Sequence, residues 1–272
     1  MPRVFIFLYV VWFSIIDQIV QANQTTYINP SLSDEYIEKL NKEAITWKAG
    51  RNFPANTTDE FLMNLFGVLP EPPTRDFSYR PKDKEEISLN QYPSVWKETF
   101  DAREVWKHCQ TIGHIRHQGP CGSCWAFATT SVFSDRMCIA TKGQFNKMLS
   151  AQQLIFCIQH GTEFYGCTRG SWPHEAFKFI KDHGIVTGGD YSSNEGCQPY
   201  KVSYGQKNKH KCEQNCYGDT SIDYKSDHVK AMDSYDVHSS DIQIEVLQYG
   251  PITATFKVYD DFYSYKSGLH TP

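Results

Sequence analysis

The residues best placed to do chemistry sit in one short run, Gln118-Gly119-Pro120-Cys121-Gly122-Ser123-Cys124-Trp125-Ala126-Phe127. A glycine-containing turn leads straight into an apolar helical pattern that begins at Cys124. The first N–H groups of a helix have no intrahelical partners, and the helix dipole favours negative charge there. A thiol at that position is favoured as thiolate, the form that attacks carbonyl carbon. The oxyanion formed in such an attack would be held by the backbone N–H at Cys124 and by the Gln118 side chain.

The nine cysteines, all between Cys109 and Cys216, leave other readings open. Cys121-x-x-Cys124 has the spacing of a redox pair, although its attacking Cys would come second and no strand pattern precedes it. Cys212-x3-Cys216 is a distant candidate for half of a zinc site. A disulfide framework accounts for eight cysteines and leaves a ninth, which in a secreted protein is an intermolecular linker or a reactive thiol.

Several elements must position this run. Cys124 to about Thr141 reads as a helix with Trp125, Ala128, Val132, Phe133, Met137 and Ile139 as apolar positions. Ser150 caps a short helix ending near Cys157, and a third runs from Pro173 to His183 and is closed by Gly184. Ile252 to Val258 alternates in β fashion just after Pro251. Upstream, Ser33-Asp34-Glu35 caps a helix whose apolar positions are Tyr36, Ile37, Leu40, Ala44, Ile45 and Trp47, stopped at Gly50. A second helix spans Thr58 to Phe66, and Pro70, Pro72, Pro73 and Pro81 amid alternating charges form an exposed linker that proteases can reach. Helices first and strands later indicate an α+β fold with two packed lobes.

A chain of 272 residues makes one large domain or two small ones, and 40% hydrophobic residues supply a core that excludes wholesale disorder. A net charge of −4 gives no electrostatic reason to expect nucleic acid. Arg3, the apolar run Val4 to Ile16 and the small residues of Val20-Gln21-Ala22 read as a secretory signal cleaved after Ala22. That run is short of the roughly 20 apolar residues of a membrane span, so no membrane attachment is expected after cleavage. Secretion brings an oxidising compartment in which cysteines pair. Asn23-Gln24-Thr25 and Asn56-Thr57-Thr58 are glycan acceptor patterns that agree with it.

The chain resembles the papain family of cysteine proteases, and its cathepsin B-like members most closely. Cys121-Gly122-Ser123-Cys124-Trp125 matches the family signature in full. Further blocks follow in order: Phe100-Asp101-Ala102-Arg103-Glu104, Ser134-Asp135-Arg136, Gly188-Gly189, Gly196-Cys197-Gln198-Pro199-Tyr200 and Tyr265-Lys266-Ser267-Gly268. Trp47-Lys48-Ala49-Gly50-Arg51-Asn52-Phe53 is similar to the prosegment motif of cathepsin B zymogens. The resemblance implies a papain-like two-lobe α+β fold, with a helical left lobe and an incomplete β-rich right lobe, preceded by a helical propeptide. It divides the chain into a signal at 1–22, a propeptide and linker at 23–90, and a peptidase domain at 91–272. Cys124 is then the nucleophile of an endopeptidase that cuts peptide or protein substrates through an acyl-enzyme. Gln118 supplies the oxyanion hole, Gly122 and Ser123 line the approach, and Trp172 and Pro173 form the wall of the pocket for the substrate's second residue. The implied disulfides are Cys109–Cys138, Cys121–Cys167, Cys157–Cys212 and Cys197–Cys216. No cofactor and no metal are implied. The implied partners are the chain's own propeptide, acting as inhibitor, and cystatin-like inhibitors; the implied location is the secretory pathway, lysosomal or extracellular.

The sequence also departs from the pattern. The family's catalytic His and Asn are expected roughly 130–150 residues after the nucleophile. His270 falls in that window but lacks the Gly-His-Ala context, and no Asn follows Asn215. His228 and His238 lack the context too and are expected at the surface. The expectation is a chain that stops before both catalytic partners, so that it is either a fragment or an inactive form, a non-catalytic pseudoprotease that binds peptides or inhibitors being the alternative function. The insertion that blocks the far end of the cleft in cathepsin B is missing or short between Lys201 and Lys211, which favours endopeptidase action. Arg169 stands where the family has glycine and places a cation near the cleft.

Overall fold

The computed structural model of the chain describes residues 28–70, 99–160, 163–164, 166–203 and 210–270. The secretory signal, the sequon at Asn23, most of the proline-rich linker and the centre of the 201–211 stretch lie outside the described residues. The helices in chain order are α1 (Asp34–Glu43), α2 (Asp59–Met63), α3 (Ala102–Val105), α4 (Cys124–Ala140), α5 (Ala151–Cys157), α6 (Pro173–His183) and α7 (Ile242–Tyr249). The strands are β1 (Trp47–Ala49), β2 (Gln159–His160), β3 (Glu163–Phe164) and β4 (Tyr265–Gly268). They form two antiparallel pairs, β1 with β4 and β2 with β3. Two compact units result: one holds the residues up to Leu62 together with those from Phe256, the other runs from Met63 to Thr255.

In the first unit, Ser33 Oγ accepts from Tyr36 N–H at 3.2 Å and starts α1, with Asp34 and Glu35 at the positive end of the helix dipole. The helix stops at Glu43, short of the expected Gly50, because the residues beyond it find a partner strand. Trp47 pairs with Gly268 and Lys48 with Ser267. Asn41 on α1 clamps β1, its Oδ1 accepting from Ala49 N–H and its Nδ2 donating to Ala49 O, both at 3.0 Å. Ile45, read as an apolar helix position, is instead solvent-exposed. Trp47, Leu32, Leu40 and Leu62 form the core of this unit. α2 is also shorter than expected, ending at Met63.

In the second unit, α4 starts at Cys124 as expected and is buried on most sides, with Trp125, Ala126, Phe127, Thr129, Thr130, Val132, Phe133 and Cys138 inside. A helix wrapped by protein is mostly apolar around its girth, and the buried hydroxyls of Thr130 and Ser134 donate back to the carbonyls of Ala126 and Thr130. α5 begins where Ser150 Oγ accepts from Gln153 N–H at 3.0 Å. α6 has Pro173 in its first turn and ends at Gly184, whose φ of +83° suits glycine. Leu149, Leu154, Ile155, Ile180 and Ile185 pack beside α4. Arg136 on α4, half-buried, and Glu245 on α7, buried, form an ion pair at 3.0 Å. The expected strand at Ile252–Val258 does not form: residues 251–259 are irregular, and Ala254 to Lys257 are exposed. Alternation makes a strand only where another strand completes its ladder.

Two measurements test this packing. Leu154→Ala removes a fully buried side chain and is expected to cost about 2–5 kcal/mol of unfolding free energy, read from denaturant midpoints. Asp135 on α4 is 6% exposed, and burial pushes its carboxyl up to about 6, partly offset by the Thr111 side chain. The unfolded chain releases that proton nearer pH ~4, so the stabilisation is full below that pH and is lost as pH rises through about 6. Asp135→Asn should therefore be more stable than the parent at pH ~7, with the difference shrinking toward pH ~4; a pH-independent difference contradicts this.

Candidate active site

The turn that delivers Cys124 to the start of α4 is tied down by backbone bonds and by one disulfide. Gly122 N–H donates to Cys167 O at 3.0 Å, beside the Cys121–Cys167 bridge. Ser123 N–H donates to Cys121 O at 2.8 Å, and Ser123 O accepts the first helical bonds, from Ala126 and Phe127. The other disulfides are Cys109–Cys138, Cys157–Cys212 and Cys197–Cys216. Cys124 is the free cysteine and is half-buried. Because Cys121, Cys212 and Cys216 are each bonded to other cysteines, neither the redox pair nor the zinc half-site is formed. The group His108, Cys109 and Cys138 offers no thiolate to a metal, since its two cysteines are bonded to each other.

Gln118 is held from its main chain. Tyr200 is buried, stacks edge-on against Phe127 with ring centroids 4.9 Å apart, and donates its hydroxyl to Gln118 O at 2.6 Å. Burial pushes the Tyr200 phenol well above its ordinary range. The Gln118 side chain is thereby aimed at the turn, where its Nε2 donates to Cys121 O at 2.7 Å and to Leu65 O at 2.8 Å.

That last bond shows which part of the expected propeptide meets the site. Residues 64–70 lie across the site, a turn at 64–65 closed by Phe66 N–H donating to Met63 O at 3.2 Å and then irregular chain bridged at Val68. Gly67 N–H donates to Cys124 Sγ at 3.3 Å. Ser171 N–H donates to Gly67 O at 2.8 Å, and Leu69 N–H donates to Ser171 O at 3.2 Å, a parallel bridge centred on Val68. Trp172 Nε1–H donates to Pro70 O at 2.8 Å. Three glycines let these backbones pass. A Cβ on Gly67 would fall 1.9 Å from Gly122 O, and one on Gly170, whose φ is +69°, would fall 2.5 Å from Gly67 O. Gly122 itself has Cys167 O, Asn64 O and Phe66 O around its missing Cβ.

The structure thus brings Gln118, Gly122, Ser123 and Cys124 to one side of a laid-in segment and Gly170 and Trp172 to the other. Pro173 begins α6 beside Trp172, and Arg169 is exposed at the surface next to Gly170. His228 is not a free surface histidine: its Nδ1 is 2.7 Å from Tyr224 O and its Nε2 is 3.2 Å from Gln153 Nε2. His238 is exposed and caps a short helical turn. His270 belongs to the first unit, with its ring 4.8 Å from that of Trp47 and its Nε2 3.2 Å from Asp261. Among the described residues no histidine is hydrogen-bonded to Cys124.

Two family models match the chain: papain family cysteine protease over residues 96–272, and the peptidase family C1 propeptide over residues 32–72. A cathepsin B-like cysteine proteinase of Schistosoma japonicum is 34% identical across 95% of the chain and 78% of the relative. Cathepsin B-like cysteine proteinase 4 of Caenorhabditis elegans is 34% identical across 92% of the chain and 77% of the relative. Among solved structures, procathepsin B S9 of Trypanosoma congolense superposes with a TM-score of 0.64 at 27% identity, covering 89% of this chain and 78% of that one.

Gly67→Ala puts a methyl group where there is backbone, so residues 64–70 should lift off Cys124. Alkylation of Cys124 by iodoacetamide is expected to speed up about tenfold, the ratio that about 1.4 kcal/mol of lost docking gives. An unchanged rate would mean that the segment does not cover the thiol.

Proposed function

The chain belongs to the papain family of cysteine proteases, and on that premise we propose that Cys124 is the nucleophile that cuts peptide substrates and that residues 64–70 hold it in check. It is a cathepsin B-like precursor of a class of cysteine-type endopeptidases that work by thiolate attack and an acyl-enzyme. In this reading the Cys124 thiolate attacks the scissile carbonyl carbon, and the new oxyanion accepts the hydrogen bond from Gln118 Nε2 that Leu65 O now accepts. As the carbon–nitrogen bond then breaks to leave the acyl-enzyme, the departing amine takes up a proton from a general acid that the described residues do not set beside Cys124. The first N–H of α4 is the second donor. Gly122 and Ser123 keep the approach open, and Trp172 with Pro173 walls the pocket for the substrate's second residue. The single observation that carries the reading is that the one unbonded thiol stands at a helix start with backbone laid over it.

The same geometry explains how the precursor's own segment would inhibit without being cut. Cys124 Sγ meets the Gly67 N–H, a donor, where attack would require a carbonyl carbon. Removal of residues 23–90 frees the site and leaves 91–272 as the peptidase part. The substrates are peptides or proteins, and cystatin-like inhibitors would enter the same groove. The four disulfides and the leader at 1–22 support the secretory pathway, ending in a lysosome or outside the cell. Among the described residues no helix is long and apolar enough to cross a membrane.

Hydrolysis of internally quenched peptides after limited proteolysis of the first 90 or so residues tests this directly. Cys124→Ser should abolish turnover, and Gln118→Ala should lower kcat roughly 10²–10³-fold, the usual effect of losing one oxyanion donor. Turnover that survives Cys124→Ser would remove the assignment. Peptide binding without any turnover in the parent would move the chain to the non-catalytic reading.

A further inference from the structure

Asn56-Thr57-Thr58 places a hydroxyl residue two positions after an asparagine, with no proline between, the pattern of an N-glycan acceptor. The structure sets Asn56 at the tip of a tight turn in which Thr57 N–H donates to Pro54 O at 3.0 Å. The turn is held from inside the first unit. Asn29 N–H donates to Ala55 O at 2.8 Å, and Asn29 Nδ2 donates to Thr57 O at 3.2 Å and to Asp59 Oδ1 at 2.7 Å. The rings of Phe53 and Phe61 meet edge-on across its base, with centroids 6.5 Å apart. Asn56 is exposed, and its carboxamide makes no hydrogen bond among the described residues.

The neighbouring asparagine provides the contrast. Asn29-Pro30-Ser31 also has a hydroxyl residue two positions on, but proline lies between, and Asn29 is 1% exposed with its amide committed to Thr57 and Asp59. One asparagine supports the turn and the other is presented to solvent by it. We propose that Asn56 carries an N-linked oligosaccharide. In the transfer, Asn56 Nδ2 attacks the anomeric carbon of a lipid-diphosphate oligosaccharide. The carbon–nitrogen bond forms as the sugar–phosphate bond breaks, Nδ2 gives up one proton, and the lipid diphosphate leaves. A bulky solubilising group fits a turn that is held from one side by Asn29 and presents Asn56 to solvent.

The position has a consequence for the precursor. No asparagine after residue 58 is followed two positions later by Ser or Thr. Within residues 1–272 both acceptor patterns therefore fall on the segment whose removal frees the site. The inference rests on the secretory reading given under Proposed function, so the test separates the two.

The full chain is expressed in a glycosylating eukaryotic cell twice, once with its own leader and once with a heterologous cleavable leader in place of residues 1–22. Peptide-N-glycosidase treatment in water enriched in heavy oxygen, followed by peptide mapping, reads each site. The expected result is heavy aspartate at position 56 with the heterologous leader, and one glycan-sized loss of mass in Asn56→Gln. Thr58→Ser, which keeps both the acceptor pattern and the hydroxyl that accepts from Phe61 N–H, should keep the glycan. Modification with the heterologous leader only would support the site and count against the secretory reading. Unmodified Asn56 in chain that has been secreted from the heterologous leader would overturn the proposal.

Discussion

A chain can lie against an attacking sulfur and survive only if it presents something other than a carbonyl carbon. In this protein that condition rests on one contact, Gly67 N–H to Cys124 Sγ at 3.3 Å. The contact depends on fixing two backbones to within a few tenths of an ångström, because a hydrogen bond and a nucleophilic approach need similar distances. The parallel bridge at Val68 and Ser171 sets the register, and the bond from Gln118 to Leu65 O locks it three residues upstream. Slipping the segment by one residue would break both.

The rest of the second unit keeps this geometry stiff. α4 is buried nearly all round, so its first residue cannot drift without disturbing a core that includes Trp125 and Phe127. The Cys121–Cys167 disulfide joins the turn before α4 to the loop that carries Gly170 and Trp172. Tyr200 fixes the main chain of Gln118, whose side-chain amide is in turn bonded to Cys121 O and Leu65 O. Arg116, almost wholly buried, spans the far side by donating to Asp190, Thr130 Oγ1, Leu149 O and the carbonyls of Gly188 and Gly189. These are short-range, satisfied bonds, and buried polar groups are stabilising only when satisfied in this way.

Much of this was legible in the residues because the signals were local. Ser150, Pro173 and Gly184 mark helix ends through chemistry that acts within a turn, and α5 and α6 begin and end where those residues place them. The start of α4 at Cys124 was readable for the same reason. What escaped was set by partners distant in sequence. Trp47 fits a helical pattern, yet its backbone pairs with Gly268, more than two hundred residues away. Ile252 to Val258 has the right alternation and no ladder to join. The resemblance implied a blocking propeptide at 23–90, but not which of its residues cover the thiol, because the grip of 64–70 is main-chain hydrogen bonding and missing Cβ atoms, which leave no pattern in side-chain type. Tyr200 belongs to the block Gly196–Tyr200, but the role of its hydroxyl depends on a partner 82 residues away.

The most direct test of the account is labelling with an epoxysuccinyl peptide, which needs both an accessible nucleophilic sulfur and a peptide-shaped groove. The intact precursor should label slowly. Removal of the residues up to about 90 should make labelling fast, with the adduct mapped to Cys124 alone under non-reducing conditions. An adduct on another cysteine, or a rate that does not change when the segment is removed, would contradict it.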